Sequence, residues 1–196
     1  MNAYGVVAEF ESRVAEYAGA KHGVAVDCCT NALFLSLKYL QLSIGSGGEV
    51  IVPARTYCSV PMAVIHSNMR VAFKDFEWEG VYQLSPHPVF DGAKRFRRGM
   101  YEGGLHCLSF HAKKLLPIGR GGMILTDDEK AASWLRKARY DGRDGKPYKE
   151  ESPEMIGWHF YMTPEQAARG LQLLDVYEDQ PDQKEDYPDL REWKCW

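Results

Sequence analysis

Residues 105–126 read LHCLSFHAKKLLPIGRGGMILT, and our prediction of the fold starts from this segment. An apolar run ends in Ser109, Lys113 and Lys114 follow, and a glycine-rich turn at 119–122 leads into a second apolar run. The pattern predicts two strands joined by a loop that carries lysine. A lysine held between a hydroxyl group and a flexible glycine loop can form a Schiff base with a carbonyl compound. Most lysines beside glycine-rich turns are simply solvated, so other segments must decide between the two interpretations.

The composition is that of an ordinary globular protein. The chain has 196 residues, of which 45% are hydrophobic and 26% charged, and its net charge is −3. This balance gives no general reason to expect a nucleic acid or a membrane as partner. The five cysteines are odd in number and form no Cys-x-x-Cys pair, which favours a reducing compartment over a disulfide framework. With no recognisable leader and no apolar run of membrane-spanning length, we expect a cytoplasmic protein.

Helical and strand patterns alternate along the chain. Apolar residues at helical spacing predict a helix over 6–17, and Gly19 is a plausible stop signal. Further helices are predicted over 31–40, 59–66, from Asp127 or Asp128 through Arg139, and from Pro164 onward, and strands over 23–26, 49–53, 71–73 and 88–91. Thr163, Pro164 and Gln166 predict a capping box for the last helix. The alternation predicts a single α/β domain.

Three polar residues stand where predicted elements meet. Thr30 lies between a strand and a helix, an arrangement that presents backbone N–H groups to an anion, so it could serve as N-cap, as phosphate ligand, or as both. Asp91 ends a strand and could either bind a ligand or cap the turn at Gly92. Tyr57 could stack on a flat ligand or lie in the core. Ser59 is the predicted cap of its helix. These alternatives stay open on the residues alone.

The central stretch resembles the signature of the DegT/StrS sugar aminotransferases, which are pyridoxal-phosphate enzymes of the type I transferase fold. That signature reads Ser-Phe-x-x-x-Lys, then Gly-x-Gly-Gly and a strand. The residues that fit it here are Ser109, Phe110, Lys114, Gly119, Gly121 and Gly122. The spacing selects Lys114 over Lys113 as the Schiff-base lysine.

Other segments resemble the family in the same order, with departures. Thr30 matches the threonine of the family's phosphate-binding turn, Gly-Thr-x-Ala-Leu, whereas Cys29 stands where the family has glycine. Asp91 matches the carboxylate of Asp-x-Ala-Gln or Asp-x-Ala-His, with Lys94 in place of the last residue. In Gly-x-Asn-x-Arg-Met the Asn is His159 here and the Arg is Tyr161.

The resemblance implies a reduced three-layer α/β/α large domain of the type I fold with a mostly parallel sheet. We predict this domain over residues 1–178 and a polar tail over 179–196. From the resemblance we expect the linker at 76–88 to replace a strand-helix-strand excursion of the family, and we expect no counterpart of the family's C-terminal small domain.

The resemblance also implies pyridoxal 5'-phosphate as cofactor. Lys114 would bind it covalently and transfer protons, Asp91 would pair with the ring nitrogen, and Tyr57 would stack on the ring. Lys94 would contact the phenolic oxygen. The phosphate ligands would be Thr30 and Ser109, with Asn31 in the cofactor-binding set and His159 reaching the partner's phosphate in a homodimer.

The implied activity is transfer of an amino group, from glutamate, to a keto sugar nucleotide or a similar carbonyl substrate. Two alternatives follow from the departures: another pyridoxal-phosphate reaction such as decarboxylation or elimination, or a non-catalytic relative that serves as a binding or assembly module. The basic run at 94–98 could contact nucleic acid, which the net negative charge disfavours.

Overall fold

The structure is a computed structural model that describes residues 4–45 and 47–196. Residues 1–3 and Ser46, which belong to the predicted domain, lie outside the described part. The helices are α1 (Gly5–Ala18), α2 (Cys29–Ile44), α3 (Ser59–His66), α4 (Glu129–Ala138) and α5 (Pro164–Asp175). The strands are β1 (His22–Val26), β2 (Glu49–Pro53), β3 (Arg70–Lys74), β4 (Tyr82–Gln83), β5 (Val89–Asp91), β6 (Leu105–Ser109) and β7 (Gly122–Thr126).

The main sheet has the strand order β1-β7-β6-β5-β4, and its strands are not mostly parallel. Only the β5–β6 pair in it is parallel, whereas β1–β7, β6–β7 and β4–β5 are antiparallel. The prediction of a mostly parallel sheet is therefore wrong. Parallel neighbours are usually joined through a crossover helix. The loop at 110–121 between β6 and β7 contains no helix, and β7 returns beside β6 in the opposite direction.

A second sheet holds the parallel pair β2 and β3. An isolated bridge joins it to the main sheet, with the amide of Ile51 donating to the carbonyl of Ser85 at 2.7 Å. Ser85 lies in the segment 76–88, which the sequence analysis treated as a linker of little regularity. That segment carries strand β4 and this bridge, so it extends the main sheet at its edge and connects it to the smaller one.

The main sheet lies between two apolar layers, as the three-layer prediction requires. Val24 and Val26 of β1 pack into the layer formed with α2, α3 and α4, while Ala25 packs into the layer of α1 and α5. In β7, Ile124 and Met123 divide in the same way. Both faces are covered, and burial of each such Val, Ile or Met side chain stabilises the fold by about 1.5–3 kcal/mol.

Local capping signals are largely confirmed. Gly19 ends α1 in the left-handed conformation, at φ +87°. Of the two candidate caps for α4, Asp128 is the N-cap, and its carboxylate accepts from the amides of Lys130 and Ala131. The capping box of α5 is formed with Thr163 as N-cap. In each of these cases the partners lie within a few residues of the cap, which is why the sequence predicted them.

The segment 179–196 packs against the domain. Leu190 is fully buried, and its amide donates to the carbonyl of Ala54 at 2.9 Å. Asp189 forms ion pairs with Arg55 and with Arg191. The division of the chain at residue 178 stays a prediction. Among the described residues, no helix is both long and apolar enough to cross a membrane.

Candidate active site

A cavity of about 670 Å³ opens where the parallel strands β5 and β6 end, beside the start of α2. Ligands of open α/β sheets bind outside the carboxyl ends of strands, and cavities of this volume accommodate small molecules. The structure brings six of the eight predicted site residues to its walls. They are Thr30, Tyr57, Asp91, Lys94, Ser109 and Lys114.

Asp91 supplies a buried carboxylate to the cavity and is only 6% exposed. One oxygen accepts from the amide of Ala93 at 3.0 Å, and the other accepts from the hydroxyl of Tyr82 at 2.8 Å. Burial raises the pKa of Asp91, while these two donors and the charges of Lys114 and Lys94 act in the opposite direction. A carboxylate with donors on both oxygens and little water around it is suited to pairing with a cation of a bound ligand.

Lys114 follows β6 in the loop to β7 and is half-buried, whereas its neighbour Lys113 is exposed. Burial lowers the pKa of Lys114, and the positive charge of Lys94 lowers it further. Asp91 is the first of the groups that oppose this shift. A lowered pKa increases the fraction of neutral amine at neutral pH, and the neutral amine is the nucleophile.

The start of α2 forms a polar corner of the cavity. The hydroxyl oxygens of Thr30 and Ser59 are 2.8 Å apart, and Ser109 also lines the cavity. A Cβ atom on Gly122 would lie 2.5 Å from the backbone carbon of Cys28, so only glycine lets β7 approach the helix this closely. Free amides at a helix start together with hydroxyl groups favour an anion.

Two predicted caps at this corner are wrong. The N-cap of α2 is Cys28, which is extended, and the N-cap of α3 is Cys58. Thr30 and Ser59 therefore lie inside their first helical turns, where their side chains do not cap the helices. The two hydroxyl groups form a hydrogen bond with each other instead.

Cys29 occupies the position of the family's glycine in the phosphate-binding turn. Its sulfur lies 4.0 Å from a carboxylate oxygen of Asp91. Burial raises the pKa of Cys29 well above its usual value, and the charge of Asp91 adds to this. The side chain is therefore a neutral thiol that packs beneath the carboxylate.

A sequence model of the DegT/DnrJ/EryC1/StrS aminotransferase family matches residues 1–91 and 96–190. The chain belongs to this family.

Individual relatives support the same assignment. The spore coat polysaccharide biosynthesis protein SpsC of Bacillus subtilis is 30% identical over 236 positions, which cover 92% of this chain and 59% of SpsC. GDP-perosamine synthase of Caulobacter vibrioides is 29% identical, over 86% of this chain and 56% of the synthase. The chain thus spans less than two thirds of the length of these relatives. The SpsC alignment is longer than the 196 residues here, so SpsC carries segments that this family member lacks.

A solved structure shows the shared fold. The sugar aminotransferase CalS13 from Micromonospora echinospora superposes with a TM-score of 0.75 at 20% identity, covering 88% of this chain and 60% of CalS13. This likeness confirms the predicted fold class, apart from the direction of the strands in the main sheet.

Two predicted site residues of this family member lie outside the cavity. Asn31 donates to Asp27 at 2.7 Å, and Asp27 in turn pairs with Arg120. His159 contacts Asp141 at 2.9 Å and packs edge-on against Tyr161. Their roles toward the cofactor stay predictions.

Aromatic side chains form the open side of the cavity. Tyr57 is 58% exposed, and its ring centre lies 6.5 Å from that of Tyr187. Tyr187 is also stacked with Trp78, with ring centres 6.3 Å apart. A flat ligand that entered between these rings and the sheet would be shielded from water on one face.

The segment 179–196 contributes wall residues that the sequence analysis missed. They are Gln183, Lys184, Glu185 and Tyr187. The segment is polar and without periodicity, so it carried no local signal of contact with the cavity. The side-chain oxygen of Gln183 is buried without a hydrogen-bond partner, which leaves an acceptor available there.

The basic run at 94–98 is mostly engaged within the chain. Lys94 is buried and pairs with Glu185, Arg95 pairs with Asp182, and Arg98 lies over the ring of Tyr17. Within the run, Arg97 and Arg98 are the exposed residues, so at most these two could contact a nucleic-acid backbone. Within the part of the chain that the structure describes, no group of three or more His, Cys, Asp or Glu side chains could hold a metal ion.

Proposed function

We propose that the chain is a pyridoxal-phosphate-dependent aminotransferase of the cytoplasm, which moves an amino group from glutamate to a keto sugar nucleotide. The observation that supports this most is the meeting of three groups in one cavity: an amine of lowered pKa, a buried carboxylate and a polar anion corner. Pyridoxal phosphate carries an aldehyde, a ring nitrogen and a phosphate, so the donor set fits this group. When bound, the cofactor supplies a carbonyl for condensation and a ring that accepts electrons.

Each residue would act on one part of the cofactor or substrate. The Nζ atom of Lys114 would hold the cofactor covalently, and after displacement it would take and return the proton of the substrate carbon. The carboxylate of Asp91 would keep a proton on the ring nitrogen. Tyr57 would cover one ring face, while Thr30 and Ser109 would orient the phosphate.

The name GDP-perosamine synthase, carried by one of the relatives, supports a nucleotide-linked sugar as the class of amino acceptor. Such a substrate would bind beside the uncharged side chains of Tyr57 and Trp78, which line the cavity.

We expect the purified chain loaded with pyridoxal phosphate to convert L-glutamate into 2-oxoglutarate in a single turnover when no acceptor is present. The visible absorption band should change in step, because the amino group stays on the cofactor. Release of carbon dioxide or ammonia instead would favour a decarboxylase or a lyase. No uptake of the cofactor would leave the chain as a non-catalytic binding module.

We also propose a homodimer, in which His159 serves the partner's site. Its side chain is 67% exposed and does not line the cavity of its own chain. Sedimentation velocity should give a dimer in the presence of pyridoxal phosphate, and a monomer at every concentration would exclude this role of His159.

A further inference from the structure

Four lysines line the cavity, of which Lys113 and Lys184 are exposed, whereas Lys94 is buried and Lys114 is half-buried. We expect one of the two sheltered lysines to bond the cofactor. The charges of Lys94 and Lys114 act on each other, since Lys94 lowers the pKa of Lys114. Lys94 is the more deeply buried of the two and is only 5% exposed. A buried lysine amine is a competent nucleophile once it has lost its proton. Another contact must therefore make one of these two lysines more reactive than the other.

Glu185 forms a hydrogen bond with Lys94, whereas it acts on Lys114 through its charge alone. The ammonium of Lys94 donates to a carboxylate oxygen of Glu185 and lies 5.3 Å from the centre of the Tyr187 ring. The hydrogen bond from Lys94 lowers the pKa of Glu185, so the carboxylate is ionised at neutral pH. The hydroxyl of Tyr187 also donates to Glu185, at 2.8 Å, and holds it in place.

Hydrogen bonds hold the backbone near Glu185 against the two segments that carry Lys94 and Lys114. The amide of Gln183 donates to the carbonyl of Lys94 at 2.9 Å, and its side chain donates to the carbonyl of Lys113 at 2.9 Å. The buried Leu190 anchors the same segment farther along. Glu185 is therefore held in its place opposite Lys94 by contacts that do not involve its own carboxylate.

We propose that Glu185 is a positioning residue that decides which lysine bonds the cofactor: its ion pair engages the Nζ atom of Lys94 and leaves the Nζ atom of Lys114 available. This inference rests on the proposed function. In the condensation, the lone pair of the amine nitrogen forms a bond to the aldehyde carbon, and the aldehyde oxygen leaves as water. An ammonium group has no lone pair and does not react.

Charged and titratable groups around the two lysines favour the same division. Lys94 faces Asp91, Lys114, Glu185 and the ring of Tyr187, so its nearest hydrogen-bonded anion is Glu185. Lys114 faces Lys94, Asp91, Cys29 and Glu185, and its pKa is lowered on balance. Removing the charge of Glu185 should thus increase the reactivity of Lys94 far more than that of Lys114.

The test compares the wild type with Glu185→Gln in two measurements. In the first, the protein without cofactor is methylated with formaldehyde and cyanoborohydride at several pH values, and the rate at each lysine is followed by mass spectrometry. We expect Lys94 to react about tenfold faster in the variant, because the charged partner that engages its Nζ atom is lost. Asp186→Asn is the matched control, since it removes the same charge from an exposed neighbouring position and should change neither rate.

In the second measurement, each protein is incubated with pyridoxal phosphate and reduced with borohydride, and the modified peptide is identified. The wild type should carry the adduct on Lys114, and the variant should divide it between Lys94 and Lys114. Glu185→Asp, which keeps the charge, should restore most of the wild-type selectivity. Lys94→Met gives an independent check that does not depend on the folding of the Glu185 variant: it should slow methylation of Lys114 near neutral pH.

The outcomes separate the two proposals. An unchanged methylation rate of Lys94 in Glu185→Gln, or an adduct that stays wholly on Lys114, would overturn this inference and leave the proposed function intact. No adduct on either lysine in the wild type would overturn the proposed function, and this inference with it.

Discussion

Replacing Lys114 by alanine should abolish the covalent attachment of pyridoxal phosphate and lower the rate of amino transfer by about 10³-fold or more. The variant loses the amine that bonds the cofactor and the base that moves the proton of the substrate carbon. The measurement is the visible absorption spectrum with added pyridoxal phosphate, before and after borohydride reduction, followed by peptide mapping. The wild type should keep the cofactor after reduction and denaturation, and the variant should release it.

Lys113→Ala is the matched control for this experiment. Lys113 is the adjacent residue and is exposed, so its loss should leave both attachment and rate nearly unchanged. A Lys114→Ala protein that retained the reduced cofactor on Lys113 would show that the sequence spacing selected the wrong lysine. Retention on Lys94 without any change at Glu185 would contradict the proposed role of Glu185 instead.

Replacing Asp91 by asparagine should lower the rate of amino transfer by about 10²- to 10⁴-fold without destabilising the protein. An amide cannot hold a proton on the ring nitrogen by charge, so the ring becomes a weaker acceptor of electrons. The activity is followed as 2-oxoglutarate formed from glutamate. The free energy of unfolding of the protein without cofactor is measured in urea.

The stability result depends on the sign of the pKa shift. Burial raises the pKa of Asp91 in the folded protein above that of the unfolded chain. The folded state is therefore favoured by this group at low pH, and that contribution is lost as the pH rises from the unfolded value through the raised folded value. At neutral pH the ionised Asp91 disfavours folding, so the neutral amide should leave stability equal or higher.

Asp186→Asn serves as the control for charge, because Asp186 is exposed and does not line the cavity. A large loss of stability in Asp91→Asn, at unchanged activity, would mean that Asp91 is a structural residue that caps the turn at Gly92. That was the second interpretation of the Asp-Gly pair in the sequence.

The helices were predictable because their signals are local. Periodic apolar residues and a glycine at the end gave α1, and the capping box gave α5. The positions of Thr30 and Ser59 were less predictable. Whether a hydroxyl caps a helix depends on where the chain enters the helical conformation, and adjacent residues such as Cys28 can take that position instead.

The candidate site was predicted in its central part and missed at its wall. Asp91 ends β5, Ser109 ends β6 and Lys114 follows β6, and the parallel pairing of the two strands brings these ends together. The Lys94–Glu185 pair joins residues 91 positions apart, in a segment without any pattern. No spacing rule reaches across such a distance.

Local patterns in the sequence predicted most helices and strands, because these depend on contacts between near neighbours. The order of the motifs and the choice of Lys114 as the reactive lysine came from the spacing of the family's signature. The three-dimensional structure was needed to show that the main sheet is mostly antiparallel and that the segment 179–196 contributes to the cavity wall. Strand direction depends on how each connection closes in space, and the burial of Leu190 and the pairing of Glu185 depend on which distant surfaces meet.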